Sequence, residues 1–593
     1  MKTPARRLLP SALSLALLAA FAAPTAFAAS ITVDPSALDA AVAGDGKCSL
    51  REAVLSVNAG ANVGDCVATV LEAYGSNDTL NLPAGVYTLT RIGFDETFVD
   101  AQPGNSAAVP TVSNVADATV GDLDLLKSVK IIGAGAGSTT ITWSSDAGVT
   151  RDRLFHINAA TGTVAVSMQG LTLSNGLTQE SLIKVGPTST FGLLPTLYYL
   201  RRAGGAVAVG PAAAVVLADP NKTGQLSSEG RGGSKKPGTT GEEGGATLTL
   251  EMKQVTVTGN SAQGDGGGIY TAAALTASGL LVSSNNASTN GGGIYNEGNT
   301  TINNATIRDN VSEGGGGFFA TGSNTVNFSG VTISGNKAVG GGGISGRSGV
   351  TLRLLNSTLS ANVGSDTGGG LYTNGAAELR FVTIARNLAG ADASTAGSGI
   401  NTFPSSSKLV TMKNVLLSDN RKGYTDGMSA TEIAALPSAN CGSTGSSLNV
   451  SSRGYNLSSD GSCQSVLNLA GDQNSKDAKI GDLGDNGGPA LTHPLLAGSP
   501  ALGAGQAEAD VNVDQRGQAR DATPDIGAYE LPTAVIAAAD TGTVTDASLS
   551  SSSGGGCTVN PNAGFDPGLP ALVLAALAGL FVRRRARGKG TTT

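Results

Sequence analysis

The 593-residue chain holds 85 glycines, about 14% of its residues against the ~7% of ordinary proteins, with 22 prolines and only 14% charged residues. The lack of a glycine triplet register excludes a collagen helix, and 40% hydrophobic residues exclude general disorder. Without the two ends described below the body keeps 30 basic against 44 acidic groups, a net charge near −14, which excludes a nucleic-acid binder and argues against long-range capture of acidic polysaccharides.

In chain order, Lys2, Arg6 and Arg7 precede an apolar run from Leu13 to Ala23, followed by the small residues Ala26-Phe27-Ala28. This pattern predicts a secretory signal peptide over residues 1–28, cleaved between Ala28 and Ala29. An exported chain meets an oxidising environment, so its cysteines are disulfide candidates. Cys48 and Cys66 lie 18 residues apart, Cys441 and Cys463 lie 22 apart, and each pair would close a local loop. Four such cysteines leave the connectivity open.

Residues 29–120 form the next segment. Within Ser49-Leu50-Arg51-Glu52-Ala53-Val54-Leu55, Ser49 and Glu52 have capping-box spacing, which predicts a short helix able to cover an open sheet edge. The run Cys48-Ser49-Leu50-Arg51-Glu52-Ala53, preceded by Ile31-Thr32-Val33-Asp34 and followed by Leu82-Pro83-Ala84-Gly85-Val86-Tyr87, resembles the CSLREA domain found at the N-terminus of bacterial surface proteins.

A repeat governs residues 121–470. Segments such as Val255-Thr256-Val257-Thr258-Gly259-Asn260 and Val331-Thr332-Ile333-Ser334-Gly335-Asn336 share one order: apolar, Thr, apolar, two variable residues, Asn. The series places asparagines at Asn260, Asn285, Asn310, Asn336, Asn362, Asn387 and Asn420. Leu171-Thr172-Leu173-Ser174-Asn175 is an earlier relative. After each asparagine comes a glycine cluster with an apolar residue, as in Gly266-Gly267-Gly268-Ile269 and Gly291-Gly292-Gly293-Ile294. A period of about 25 residues rich in Val, Ile and Thr predicts an all-β, right-handed single-stranded parallel β-helix with a short N-terminal helical cap. The asparagines are expected to form a structural ladder at one corner, and the glycines to permit corners and close approach. Lys222 to Gly245 is almost free of apolar residues and reads as a flexible insert, 222–245, the one interruption of the repeat.

Residues 471–535 are dense in Asp, Arg and Gly. Gly484-Asp485-Asn486-Gly487-Gly488, Asp514-Gln515-Arg516-Gly517 and Asp525-Ile526-Gly527-Ala528-Tyr529-Glu530 resemble the choice-of-anchor Q region of surface β-helix proteins. They are expected to close the end of the solenoid with turns tied by charge-assisted hydrogen bonds. A linker, 536–556, leads to the tail 557–593, where an apolar run from Leu569 to Val582 meets Arg583, Arg584, Arg585, Arg587 and Lys589. Gly554-Gly555-Gly556-Cys557 followed by this run resembles a JDVT-type sorting signal, with a rhombosortase-type tail as the rival resemblance. The resemblance implies a sorting protease in the membrane as a partner, processing or lipidation at Cys557, and a membrane attachment of the tail at least before processing.

The candidate chemistry is sparse. His156 and His493 are the two histidines, and acids at repeat positions do not line up across adjacent coils. Asp122-Leu123-Asp124 is the one weak pointer to calcium, and no other cofactor is expected. The sequence therefore predicts no catalytic residues and an exported monomer at the cell surface or outer envelope of a bacterium. Its expected role is an adhesin-like or structural module whose partner is a glycan or surface protein. The alternative is a polysaccharide lyase or glycoside hydrolase of the same fold.

Overall fold

A computed structural model describes residues 28–532 apart from internal stretches, of which 100–110 and 218–245 are the longest. The leader up to residue 27, the insert 222–245, the linker 536–556 and the tail with Cys557 lie outside the described residues. Among the described residues, no helix is long and apolar enough to cross a membrane.

The chain winds into a right-handed parallel β-helix. One sheet stacks ten strands in strict chain order, from Leu123–Leu125 through Ile269–Thr271 and Ile294–Asn296 to Cys441–Ser443. A 21-stranded sheet takes the other two long segments of each coil, such as Ala274–Ser278 and Leu281–Ser283. Parallel registry turns a repeated apolar position into a column: Ile269, Ile294, Phe318, Ile344, Leu371 and Ile400 pair in sequence, and all are buried. Burying such a column removes apolar surface from water at about 25 cal/mol per Å², the main force holding the coils together.

Asparagines and glycines make one device at a shared corner. Asn310 donates its Nδ2 to Oδ1 of Asn336 at 2.9 Å and to the carbonyl of Val282 at 3.1 Å, while its backbone N–H donates to the same Oδ1 at 3.0 Å. The pattern runs unbroken from Asn260 through Asn285, Asn310, Asn336, Asn362, Asn387 and Asn420 to Asn440. All eight are buried. The variable residue before each ladder asparagine from Asn260 to Asn420 holds a left-handed corner, whether it is Gly335 with φ 65° or Asp309 with φ 57°. In the earliest relative, Asn175 occupies that corner and Gly176 takes the ladder place, donating its N–H to Asn260 at 2.9 Å.

The N-terminal signature builds the cap. Ser49 caps the helix Leu50–Ala59 with a reciprocal capping box to Glu52, and Cys48 is disulfide-bonded to Cys66. Leu50, Ala53, Val54 and Val57 enter the core. Arg51, fully buried, pairs with Asp39 at 2.6 Å and donates to the carbonyls of Ala118 and Gly121 at 2.9 Å. Asn58 bonds the carbonyl of Asp124 at 2.8 Å and the N–H of Leu126 at 3.1 Å, so the helix covers the first strand of the ten-stranded sheet, Leu123–Leu125.

Two features depart from the sequence reading. The repeat is interrupted not only at 222–245: strands Ser181–Thr188, Pro195–Arg202 and Ala213–Leu217 form an antiparallel excursion, and Glu96–Val99 pairs with Thr111–Asn114 in another. Residues 475–531 also do not close the solenoid end. That end is packed by Cys463 and Leu467, with Cys463 disulfide-bonded to Cys441, and the chain then returns along the flank. The return is pinned by Gln515, which accepts from Thr358 at 2.6 Å and donates to Thr332 at 2.8 Å, and by the Ala528 N–H donating to Thr383 at 3.0 Å. Ile526 buries against Ala385 and Leu416. The outward hydroxyls that strands leave on one column of consecutive coils thus become docking points for the returning chain.

Candidate functional site

The returning segment and the coils enclose a charged groove. Its floor is an outward column of the 21-stranded sheet, where register aligns Leu355 with Arg380 and Arg380 with Lys413, and Arg453 follows the Met412–Ser452 pair on the next coil. Strand pleating sends these side chains outward because Leu354, Leu379 and Met412, their neighbours, point into the core. The neighbouring outward column supplies Glu378 and Thr411. Glu508 of the returning segment forms the opposite wall, and the cavity between measures about 170 Å³.

Charges in the groove fall into two groups. Arg380 donates to Glu508 at 2.8 Å and to Asp510 at 2.9 Å, and Glu508 also accepts from Asn414 at 3.1 Å. Hydrogen bonding to Arg380 holds the Asp510 carboxyl below its ordinary value, while the bond to Asp510 holds the guanidinium above its own. Glu378 lies 3.6 Å from Arg353. By contrast, the side chains of Lys413 and Arg453 close no hydrogen bond or ion pair among the described residues. Lys413 is half-buried and Arg453 exposed.

This distribution suits binding better than acid catalysis. A general acid needs a carboxyl whose proton is retained near neutrality, and burial or a neighbouring anion usually provides that. Asp510 is pushed the other way, and Glu508 is engaged by two donors. Two cations on adjacent coils, about 4.8 Å apart along the stack, remain available to a ligand.

The residues singled out from sequence sit elsewhere. Asp122 and Asp124 are fully buried, Asp122 lying 3.6 Å from Arg153 and Asp124 3.3 Å from His156. Each thus faces a nitrogen-bearing side chain, and no group of three or more His, Cys, Asp or Glu residues among the described ones could hold a metal ion. His156 is a packed residue bonded to the carbonyl of Gly210 at 2.9 Å. His493 faces Ser360 at 2.8 Å and the carbonyl of Gly481 at 2.8 Å, an arrangement with the outline of a nucleophile and its base. Both side chains are buried where the returning segment meets the coils, so the pair ties two layers together. Ala28 and Ala29 immediately precede the first described strand, Ser30–Thr32, and the N–H of Ala29 donates to Asp78 at 2.9 Å. The ladder asparagines are buried and the four cysteines are joined in disulfides, so neither set offers a group to a ligand.

No family model matches the chain, and no curated protein matches it. Among solved structures, it is similar to the pectate lyase Pel9A at 12% identity, covering 77% of this chain and 88% of that one with a TM-score of 0.35. It is similar to the A-module of mannuronan C-5 epimerase AlgE4 from Azotobacter vinelandii at 14% identity, 72% and 92% coverage, and a TM-score of 0.30. A Geobacillus virus E2 protein, ORF18, matches at 10% identity and a TM-score of 0.33 over 67% of this chain, which spans 58% of the viral protein's length. The register and stacking described above define the fold as a right-handed parallel β-helix.

Proposed function

We propose that the chain is an exported, cell-surface-anchored β-helix that acts as an adhesin-like or structural binding module for a glycan. The observation that supports this is the groove between coils and returning segment, open to solvent and lined by Lys413 and Arg453, two cations without partners of their own. Solenoid flanks present side chains at a fixed pitch, which suits a polymer with its own repeat. The leader, the CSLREA-like cap and the sorting-signal-like tail support export and anchoring.

The second reading is a polysaccharide lyase, and it is favoured by Lys413, whose side chain, in its neutral amine form, could take a proton from a sugar ring carbon. A glycan array paired with an assay for unsaturated and reducing-end products separates the two readings. Saturable binding with intact glycans supports the module; product formation abolished by Lys413→Ala supports the lyase.

A further inference from the structure

We infer that the groove recognises an anionic sugar residue, bearing a carboxylate or a sulfate, through Lys413 and Arg453. This rests on the glycan-binding reading above and narrows it to a ligand class. The body of the protein is acidic, so a basic pair on its surface is a local exception and not a sample of the whole.

Three observations converge on the pair. First, Arg380, Lys413 and Arg453 are stacked on successive coils by strand register, so their positive ends line one wall. Second, only the first of them is ion-paired: Glu508 and Asp510 of the returning segment both close on Arg380, while Lys413 acts on Asp510 through space without bonding it. Third, the remaining two border a cavity of about 170 Å³, below the ~300–1,000 Å³ that engulfs drug-sized ligands and suited to a single sugar residue or its acidic substituent. Arg453 offers a planar fork matched to the two oxygens of a carboxylate or sulfate, and Lys413 adds a point charge beside it. Glu378, on the same lining, repels an anion and sets a limit on affinity. Long-range repulsion from the acidic body is screened beyond about 8 Å at physiological ionic strength, so contact charges decide the outcome.

The test uses the full-length chain in detergent and three probes: oligogalacturonate, dextran sulfate and unsubstituted dextran, each titrated by calorimetry. The wild type should bind at least one anionic probe at least tenfold more tightly than dextran, and carboxylate or sulfate preference follows from which probe is stronger. Lys413→Ala with Arg453→Ala should reduce that binding at least tenfold with an unchanged melting temperature. Glu378→Gln should tighten it about threefold, a gain that misfolding cannot produce. Equal binding of all three probes, or anionic binding indifferent to the double substitution, overturns the anionic assignment while leaving a glycan module standing. No binding to these probes or to a broad glycan array overturns both.

Discussion

Gly293 lies directly beneath Asn310: a Cβ on Gly293 would come within 3.0 Å of Asn310 Nδ2 and 2.6 Å of the carbonyl of Gly317. The glycine clusters and the asparagine ladder are therefore a single construction. The third glycine of each cluster makes room for an amide of the ladder, and that amide satisfies the backbone groups the corner leaves behind. Gly293→Ala should lower the melting temperature measurably, because neither neighbour is a flexible chain end that can move aside.

Breaking the ladder itself should cost more. Asn336→Ala removes the acceptor of two Asn310 donors and the amide that bonds the carbonyl of Ile307 at 3.0 Å, all in a buried corner. Buried polar groups left without partners cost ~1–3 kcal/mol each, and partial relaxation brings the expected loss to about 3 kcal/mol in urea unfolding. Asn336→Asp should be worse than alanine, since it buries a charge whose oxygen faces the Asn362 acceptor and the Ile307 carbonyl. A ladder variant within about 0.5 kcal/mol of wild type, the range of an ordinary surface substitution, would contradict this role.

The cap depends on Arg51. Replacing it by Met leaves the carbonyls of Ala118 and Gly121 without this donor and the Asp39 carboxylate with only the N–H groups of Thr90 and Arg91 and no opposite charge. Hydrogen exchange should accelerate at Leu123–Leu125 and the helix Leu50–Ala59 while the central coils keep their protection, because each coil contacts only its neighbours. Uniform loss of protection would show that the cap is not a local element.

The ladder was legible in the sequence because its period stays near 25 residues and its motif survives from Val255 to Asn420. Asn440 was missed: it comes only 20 residues after Asn420 and lacks the apolar-Thr-apolar lead. Asn175 of the earlier relative falls one position short of the ladder place, at the left-handed corner, a conformation that Asn adopts more readily than most residues other than Gly. The cap helix was legible from Ser49 and Glu52, whereas the burial of Arg51 depends on carbonyls about 70 residues away. The groove was invisible for a physical reason. Arg380, Lys413 and Arg453 are 33 and 40 residues apart, off the regular period, because their coils carry long loops. Glu508 and Asp510 reach them only because the chain turns back along its own flank. An average charge near −14 could not reveal a local pair of unpaired cations.

The returning segment should detach in acid through His493. Burial, the largest influence, pushes its imidazole down to about 4, against a bond to the Gly481 carbonyl that favours the charged form. The unfolded chain thus binds a proton that the folded one refuses between about pH 6.5 and 4, so stability falls as pH falls through that window. The full effect approaches about 3 kcal/mol below pH 4. Comparing wild type with His493→Gln cancels the other titrating groups, and the stability difference should become independent of pH above pH 7, where only the lost contacts to Ser360 and Gly481 remain.

The tail makes a separate prediction. Intact-mass analysis of the surface-exposed form should show a C-terminus in the region of Cys557, with or without an added lipid mass. A form ending at Thr593 on the cell surface would contradict the sorting-signal reading.

The central claim, a glycan-binding surface without turnover, is tested most directly by incubating the full-length chain with whichever of oligogalacturonate and dextran sulfate it binds more tightly, while following calorimetric binding and product formation in one sample. The account predicts saturable binding that weakens at least tenfold when Lys413 and Arg453 are both replaced by alanine, with the oligosaccharide recovered unchanged. Shortened or unsaturated products that disappear with Lys413→Ala would contradict it and make the groove an active site.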